Sequence, residues 1–136
     1  IDILKSIESS INSKVIYCTN IDWTETMKIL QESKLLVVPS RQESLPQVIK
    51  EAFYLKVPVI ATDVGGISEL VKHNQTGILV PSQNPEKLKL AINHLLENLE
   101  LQEILKQNAY NFILEFFTWE KLLPKYTKFY NDLLNN

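Results

Sequence analysis

The chain has 136 residues, of which 45% are hydrophobic and 22% are charged, and its formal net charge is −2 at pH 7. These values are typical of one soluble globular domain that is large enough to bury a core. The 14 basic and 16 acidic residues show no basic cluster of the kind that nucleic-acid binding requires. No apolar run approaches the ~20 residues of a membrane-spanning helix, and no signal peptide is expected. A single cysteine excludes an internal disulfide, which favours a cytoplasmic location.

Helical and strand-like patterns alternate through the first part of the chain. Asp22 is predicted to cap a helix, with Glu25 completing a capping box. Cys18 lies in an apolar, strand-like run and is predicted to be a buried, inert thiol. In chain order, the predicted elements are a helix at residues 1–11, a strand at Val15–Cys18, a helix from Asp22 to about Glu32, a strand at Leu35–Val38, a turn at residues 39–45 and a helix with Pro46 at its first position.

The second part of the chain continues the alternation and then becomes helical. Asn84 is predicted to cap a helix with Pro85 at its first position. Pro124 is expected near the start of the last helix or at a kink within it. The predicted elements are a strand at Val57–Ala61, a loop at Thr62–Gly66, a short helix at Ile67–Lys72, a strand at Thr76–Val80 and helices from Asn84 onward with breaks near Leu99 and Thr118.

Short apolar strands that alternate with helices predict an α/β fold, with a parallel sheet covered by helices on both faces. Ligands of such sheets bind at the carboxyl ends of the strands. The turn at residues 39–45 and the loop Thr62–Gly66 each follow a strand directly. We therefore expect both to lie on the same edge of the sheet.

The segment Arg41–Glu51 is predicted to be the centre of a ligand site. The first turn of the helix that follows leaves backbone N–H groups unpaired, and its dipole favours an anion. Glu43 lies in the turn and Glu51 lies eight residues later in the helix, where each carboxylate can accept hydrogen bonds from hydroxyls. Together these features indicate a ligand that carries both phosphate and hydroxyl groups.

At these residues the chain resembles the C-terminal, nucleotide-sugar-binding domain of family 4 glycosyltransferases, which have the two-domain GT-B fold. Two glutamates eight residues apart are a weak signal alone, but the resemblance covers nearly the whole chain. It depends on an ordered set of segments: Ser33–Ser40, Glu43–Ala52, Val57–Glu69, Thr76–Pro81, Asn84–Leu88 and Phe117–Glu120.

The resemblance implies a role for each residue of the central segment. Glu43 matches a glutamate that contacts the donor sugar and is discussed as a catalytic carboxylate. Ser44, Leu45 and Pro46 match the turn whose backbone approaches the sugar and the diphosphate, and Ser44 stands where glycine is common. Glu51 matches the glutamate that binds the ribose hydroxyls. A more weakly matched segment, Thr19–Asp22, is similar to the family's loop near the nucleobase.

The resemblance also implies what residues 1–136 lack. They would form a single, partial Rossmann-like domain, truncated at its N terminus and ending in a helical tail. The acceptor domain and the first strands would be absent, together with the Arg and Lys that the family places on the diphosphate. Arg41 matches neither of these two residues. Membrane contact in the full-length protein would occur through the absent half.

The function that the resemblance implies is retaining transfer of a sugar from a nucleotide-diphosphate donor to a glycan, lipid or other acceptor, as in polysaccharide biosynthesis. The partner would be a nucleotide sugar, and no cofactor or metal is expected. The isolated chain is expected to be inactive. Two alternatives stay open: a nucleotide-sugar-binding module without activity of its own, and a GT-B nucleotide-sugar epimerase.

Several other residues have a structural interpretation beside a functional one. Gly65 and Gly66 are candidates for a ligand-facing loop, or they serve only the geometry of the turn. Trp23 and Trp119 are predicted to be packing anchors. The remaining candidates, predicted to be caps or surface groups, are Asp63, Glu69, His73 and His94.

Overall fold

The computed structural model describes residues 15–135, so the predicted helix at residues 1–11 lies outside the described residues. The described residues form three strands and six helices. In chain order these are α1 (Trp23–Glu32), β1 (Leu36–Val38), α2 (Gln47–Tyr54), β2 (Val59–Thr62), α3 (Ile67–Leu70), β3 (Ile78–Val80), α4 (Pro85–Glu97), α5 (Leu99–Phe116) and α6 (Trp119–Leu134).

The three strands form one parallel sheet in the order β1-β2-β3. Val37 is aligned with Ile60, and Ala61 is aligned with Leu79. Because parallel neighbours need a crossover between them, α2 connects β1 to β2 and α3 connects β2 to β3. All three strands therefore end at the same edge of the sheet, as the sequence predicted.

The central strand β2 has a buried side chain at each of its four positions. Successive side chains of a strand point to opposite faces, so Val59 and Ala61 enter one hydrophobic cluster and Ile60 enters the other. The first cluster contains buried residues of α1, α2 and α3, and the second contains Leu95 of α4. Helix α5 contributes to both clusters. This arrangement confirms the prediction of a parallel sheet covered on both faces.

Side chains fix the starts of several helices, as the sequence predicted. The Asp22 carboxylate accepts a hydrogen bond from the backbone N–H of Glu25 at 2.8 Å, and the Asn84 side chain accepts one from Lys87 at 3.0 Å. Pro85 lies at the start of α4. Pro46, however, is the residue before α2 rather than its first residue, a shift of one position that lies within the usual fraying of helix ends.

Helix α6 begins with hydrogen bonds that involve the Thr118-Trp-Glu120 segment. The backbone N–H of Glu120 and the side chain of Thr118 hydrogen-bond the Glu120 carboxylate and lower its pKa. Any stability that this group adds is therefore present at neutral pH and is lost as the pH falls through its lowered pKa. Pro124 lies inside α6, near its start.

The prediction of a strand at Val15–Cys18 is wrong. These residues have no regular structure, and Cys18 is exposed rather than buried. An apolar, β-branched run has the propensity for a strand, but this propensity depends strongly on the surrounding packing. In the part of the sheet that the structure describes, β1 pairs with β2 alone.

A buried threonine ties the end of β2 to the turn after β1. The hydroxyl of Thr62 donates a hydrogen bond of 2.6 Å to the backbone carbonyl of Ser40 and lies 3.4 Å from that of Val38. Thr62 is 4% exposed, so this bond forms away from water, where an unsatisfied hydroxyl is costly. The turn at residues 39–45 is therefore held against the strand that precedes the glycine loop.

Gly65 and Gly66 approach the backbone of this turn more closely than any other residue type allows. A Cβ atom on Gly65 would lie 1.8 Å from the carbonyl oxygen of Glu43, and one on Gly66 would lie 2.1 Å from that of Ser44. Gly65 also has a φ of +53°, in the left-handed region that disfavours a side chain. The glycine loop and the Glu43 turn are therefore packed backbone against backbone.

We expect Gly65→Ala to lower the free energy of unfolding by about 2–5 kcal/mol, because it adds left-handed strain to a steric overlap with backbone. Urea unfolding followed by circular dichroism measures this change. The matched control is Glu69→Ala, an exposed position in α3, for which we expect a change within about 0.5 kcal/mol. A Gly65→Ala variant as stable as that control would show that the two loops are not in tight contact.

Candidate functional site

Glu43 lies in an open cavity where the two loops meet. Its carboxylate oxygen Oε1 accepts a hydrogen bond of 3.1 Å from the backbone N–H of Ser44. The cavity has a volume of about 490 Å³, and its lining includes Arg41, Glu43, Ser44 and Gly65. The structure thus brings together Glu43 and the glycine loop, which the sequence placed only on the same edge of the sheet.

The other residues of the turn contribute backbone rather than side chains. Leu45 is partly buried and packs against the core, Pro46 is buried, and Gly66 is packed against the Ser44 carbonyl. Helix α2 starts directly afterwards, with no side-chain hydrogen bond at its cap. The first N–H groups of a helix and its dipole form a natural site for an anion. This helix start therefore has the polarity of an anion-binding site.

Glu51 lies on the second turn of α2. It is four residues beyond Gln47, the first residue of the helix, which corresponds to a rise of ~6 Å. Its Oε1 accepts a hydrogen bond of 3.0 Å from the indole Nε1 of Trp23. Glu51 lines a groove of about 480 Å³ that also includes Trp119. The two glutamates therefore lie in different cavities, on either side of the first turn of α2.

No role of its own was predicted for Arg41, but it is one of the residues that line the Glu43 cavity. It also lines an adjacent cavity of about 410 Å³, together with Thr62 and Pro81. Lys50 instead lies over the ring of Phe117, with its Nζ 5.7 Å from the ring centroid. The only signal for Arg41 in the sequence was its position two residues before Glu43.

The prediction that Trp23 and Trp119 are packing anchors is wrong. Trp23 is 66% exposed and Trp119 is 73% exposed. Trp23 contacts a candidate site residue through its N–H, a pairing across 28 positions that no local pattern reveals. The physical reason is that both tryptophans occupy the first position of a helix, where the side chain need not face the core.

Asp63 and His73 line a further cavity, and both are exposed. The Nδ1 atom of His73 accepts a hydrogen bond of 3.1 Å from the backbone N–H of Leu79. Glu69 and His94 are also exposed. Within residues 15–135, no three His, Cys, Asp or Glu side chains are grouped so as to hold a metal ion. None of the described helices combines the length and apolar character needed to cross a bilayer.

Comparisons with known proteins identify the family of this chain. The family sequence model described as "Glycosyl transferases group 1" matches residues 4–112. An uncharacterized glycosyltransferase of Methanocaldococcus jannaschii is 38% identical over 109 residues, which are 80% of this chain and 31% of that protein. The N-acetyl-alpha-D-glucosaminyl L-malate synthase of Bacillus anthracis is 32% identical over 109 residues, which are 80% of this chain and 29% of that enzyme.

Solved structures show the same fold. Sucrose-phosphate synthase from Thermosynechococcus elongatus superposes with a TM-score of 0.88 at 26% identity, over 98% of this chain and 34% of that chain. HepE of Anabaena, solved in complex with UDP-glucose, superposes with a TM-score of 0.84 at 20% identity, over 96% of this chain and 37% of that chain. The chain spans about a third of the length of the proteins that it matches. Its fold is the Rossmann-like C-terminal domain of GT-B enzymes, and the chain belongs to the group 1 glycosyltransferase family.

Proposed function

We propose that this chain is the donor-binding part of a retaining glycosyltransferase that transfers a sugar from a nucleotide-diphosphate sugar. The observation that carries the proposal is the backbone contact of the glycine loop with the Glu43 turn, directly before the uncapped start of α2. It supports the proposal because Glu43, the uncapped start of α2 and Glu51 follow one another within a short stretch of the chain. Family membership supports the same class of reaction.

The ligand would extend along α2. The donor sugar would lie in the Glu43 cavity, where the carboxylate accepts hydrogen bonds from its hydroxyls and Ser44 offers backbone at close range. The diphosphate would lie at the start of α2, over the backbone of Leu45 and Pro46. The ribose would lie one turn further on, at Glu51. HepE, whose fold this chain shares, was solved with UDP-glucose, a ligand of this form.

In this arrangement Glu43 is the candidate catalytic carboxylate, and Gly65 and Gly66 act by holding the glycine loop against the turn that carries Glu43. Departure of a diphosphate develops negative charge that helix N–H groups stabilise, and fixed donors of this kind are usually the largest catalytic contribution. No metal or cofactor is required by this proposal. Arg41 would add a positive charge beside the sugar and diphosphate.

Binding of a nucleotide sugar is tested by NMR titration of the ¹⁵N-labelled chain. We expect shifts at residues 41–51 and 62–66 with the preferred nucleoside diphosphate among UDP, GDP and ADP. Glu51→Ala should weaken that affinity by about 10-fold or more, since hydrogen bonds to a charged group contribute ~1.5–3 kcal/mol. Glu69→Ala is the control and should leave affinity unchanged. The absence of shifts at millimolar nucleotide, or shifts confined to other residues, would contradict the proposal.

The role of Glu43 is tested by comparing a nucleotide sugar with the same nucleotide alone. We expect the unmodified chain to bind the nucleotide sugar more tightly than the nucleotide alone, so that the sugar increases affinity. In Glu43→Gln that increase should fall by about 3- to 10-fold, because an amide accepts fewer hydrogen bonds than a carboxylate, while affinity for the bare nucleotide stays the same. Glu69→Gln serves as the control. Equal losses for both ligands would place Glu43 outside the sugar site.

We also expect residues 1–136 alone to transfer no sugar, because the chain spans about a third of its relatives and would lack an acceptor site. A coupled assay detects sugar transfer as release of nucleoside diphosphate. UDP-glucose and GDP-mannose are each supplied with and without sugar acceptors. Acceptor-dependent release by the isolated chain would refute this expectation. Activity restored only in a longer protein containing these residues would support it.

A further inference from the structure

The hydrogen bond between Trp23 and Glu51 joins two helices at the proposed ribose site. The indole Nε1 donates to Oε1 of Glu51 at 3.0 Å, and the two residues are 28 positions apart in the chain. Glu51 is half-buried, whereas Trp23 is 66% exposed. An exposed tryptophan that uses its single donor on a carboxylate contributes little to the core. We therefore consider what its hydrogen bond does to the Glu51 carboxylate.

The position of Trp23 is set by the start of α1. Asp22 caps the helix through its carboxylate, and its backbone carbonyl accepts hydrogen bonds from both the backbone N–H and the hydroxyl of Thr26, at 3.0 and 2.9 Å. Trp23 is the first residue after this cap. Further along α1, Leu30 is buried in the cluster that also contains Ile49 and Phe53 of α2. The fold therefore fixes the backbone of both helices, the one that carries Trp23 and the one that carries Glu51.

The chemistry of the pair suits a positioning role. An indole N–H is only a donor, and a carboxylate has about four acceptor sites, so most of the capacity of Glu51 stays available for hydroxyls. A free glutamate side chain loses rotamer entropy when a ligand orders it. A carboxylate that is already held by Trp23 avoids part of that loss on binding.

We infer that Trp23 is a positioning residue for the ribose site, with an indole N–H that orients the Glu51 carboxylate toward the 2′- and 3′-hydroxyls of a nucleoside diphosphate. This inference rests on the proposed function, because it requires that Glu51 binds ribose. If the indole instead competed with ribose for Glu51, the expected effect on nucleotide affinity would have the opposite sign. Removal of the N–H would then strengthen nucleotide binding.

The hydrogen bond itself can be observed without any ligand. The chain has two tryptophans and therefore two indole N–H signals in a ¹⁵N–¹H spectrum. Glu51→Ala should shift the Trp23 signal and leave that of Trp119 in place. Trp119 lines the same groove, so it is a matched internal control. An unmoved Trp23 signal would overturn the inference.

The positioning role is tested by the affinities of UDP, GDP and ADP, each compared with its 2′,3′-dideoxy analogue. For the ribonucleotide that binds most tightly, Trp23→Phe should weaken binding by about 3- to 10-fold, as expected for one hydrogen bond, and should leave the dideoxy analogue unaffected. Trp119→Phe should alter neither affinity. In Glu51→Ala, the additional change Trp23→Phe should have no further effect.

The outcomes separate the two proposals. If the unmodified chain prefers the ribonucleotide and Trp23→Phe retains that preference or strengthens it, the positioning role is wrong and the proposed function stands. Equal weakening of both ligands would show a structural role only and also overturn the inference. If the unmodified chain binds none of these nucleotides, the proposed function fails and the positioning role fails with it.

Discussion

The candidate site depends on one steric constraint, the contact of the Gly65–Gly66 backbone with the carbonyls of Glu43 and Ser44. No side chain fits between these two loops, because a Cβ atom on either glycine would overlap a carbonyl oxygen. The Thr62 hydroxyl adds a second connection, from the end of β2 to Ser40. Since both loops follow parallel strands, the constraint transfers the rigidity of the buried sheet to the turn that carries Glu43. The start of α2 then follows at a defined place.

Helix α2 has two functions in this arrangement. Its buried side, with Ile49, Ala52 and Phe53, anchors it in the core. Its first turn follows the Glu43 turn directly and has no side-chain cap, and Glu51 in its second turn accepts a hydrogen bond from Trp23 of α1. The same eight-residue helix therefore packs against the core and carries part of the proposed ligand site.

Patterns in the sequence predicted the elements that are decided locally or by burial. The apolar runs predicted β1, β2 and β3, and the caps Asp22 and Asn84 were confirmed by their hydrogen bonds. The predicted strand at Val15–Cys18 was wrong, because strand propensity depends on packing that a local pattern does not contain. Thr76 illustrates a similar limit. Its hydroxyl donates a hydrogen bond to the Leu70 carbonyl and accepts one from the backbone N–H of Lys72. The motif alone does not reveal this structural role.

The same limit applies to the site. Glu43 and Glu51 were predicted from the turn and the helix start, and a resemblance implied their roles. The structure adds which residues they meet: Glu43 meets Gly65, and Glu51 meets Trp23. The pairing of Glu51 with Trp23 spans two helices, so neither spacing nor composition could predict it. Arg41 was assigned no role because it matched no expected residue, yet it is among the residues that line the Glu43 cavity.

A crystal structure of this chain with UDP-glucose would test the central claim most directly. The account predicts that the glucose lies in the Glu43 cavity, the diphosphate at the backbone N–H groups that begin α2, and the ribose within hydrogen-bond distance of Glu51. A nucleotide sugar bound elsewhere, such as in the cavity lined by Asp63 and His73, or bound with its ribose remote from Glu51, would contradict it.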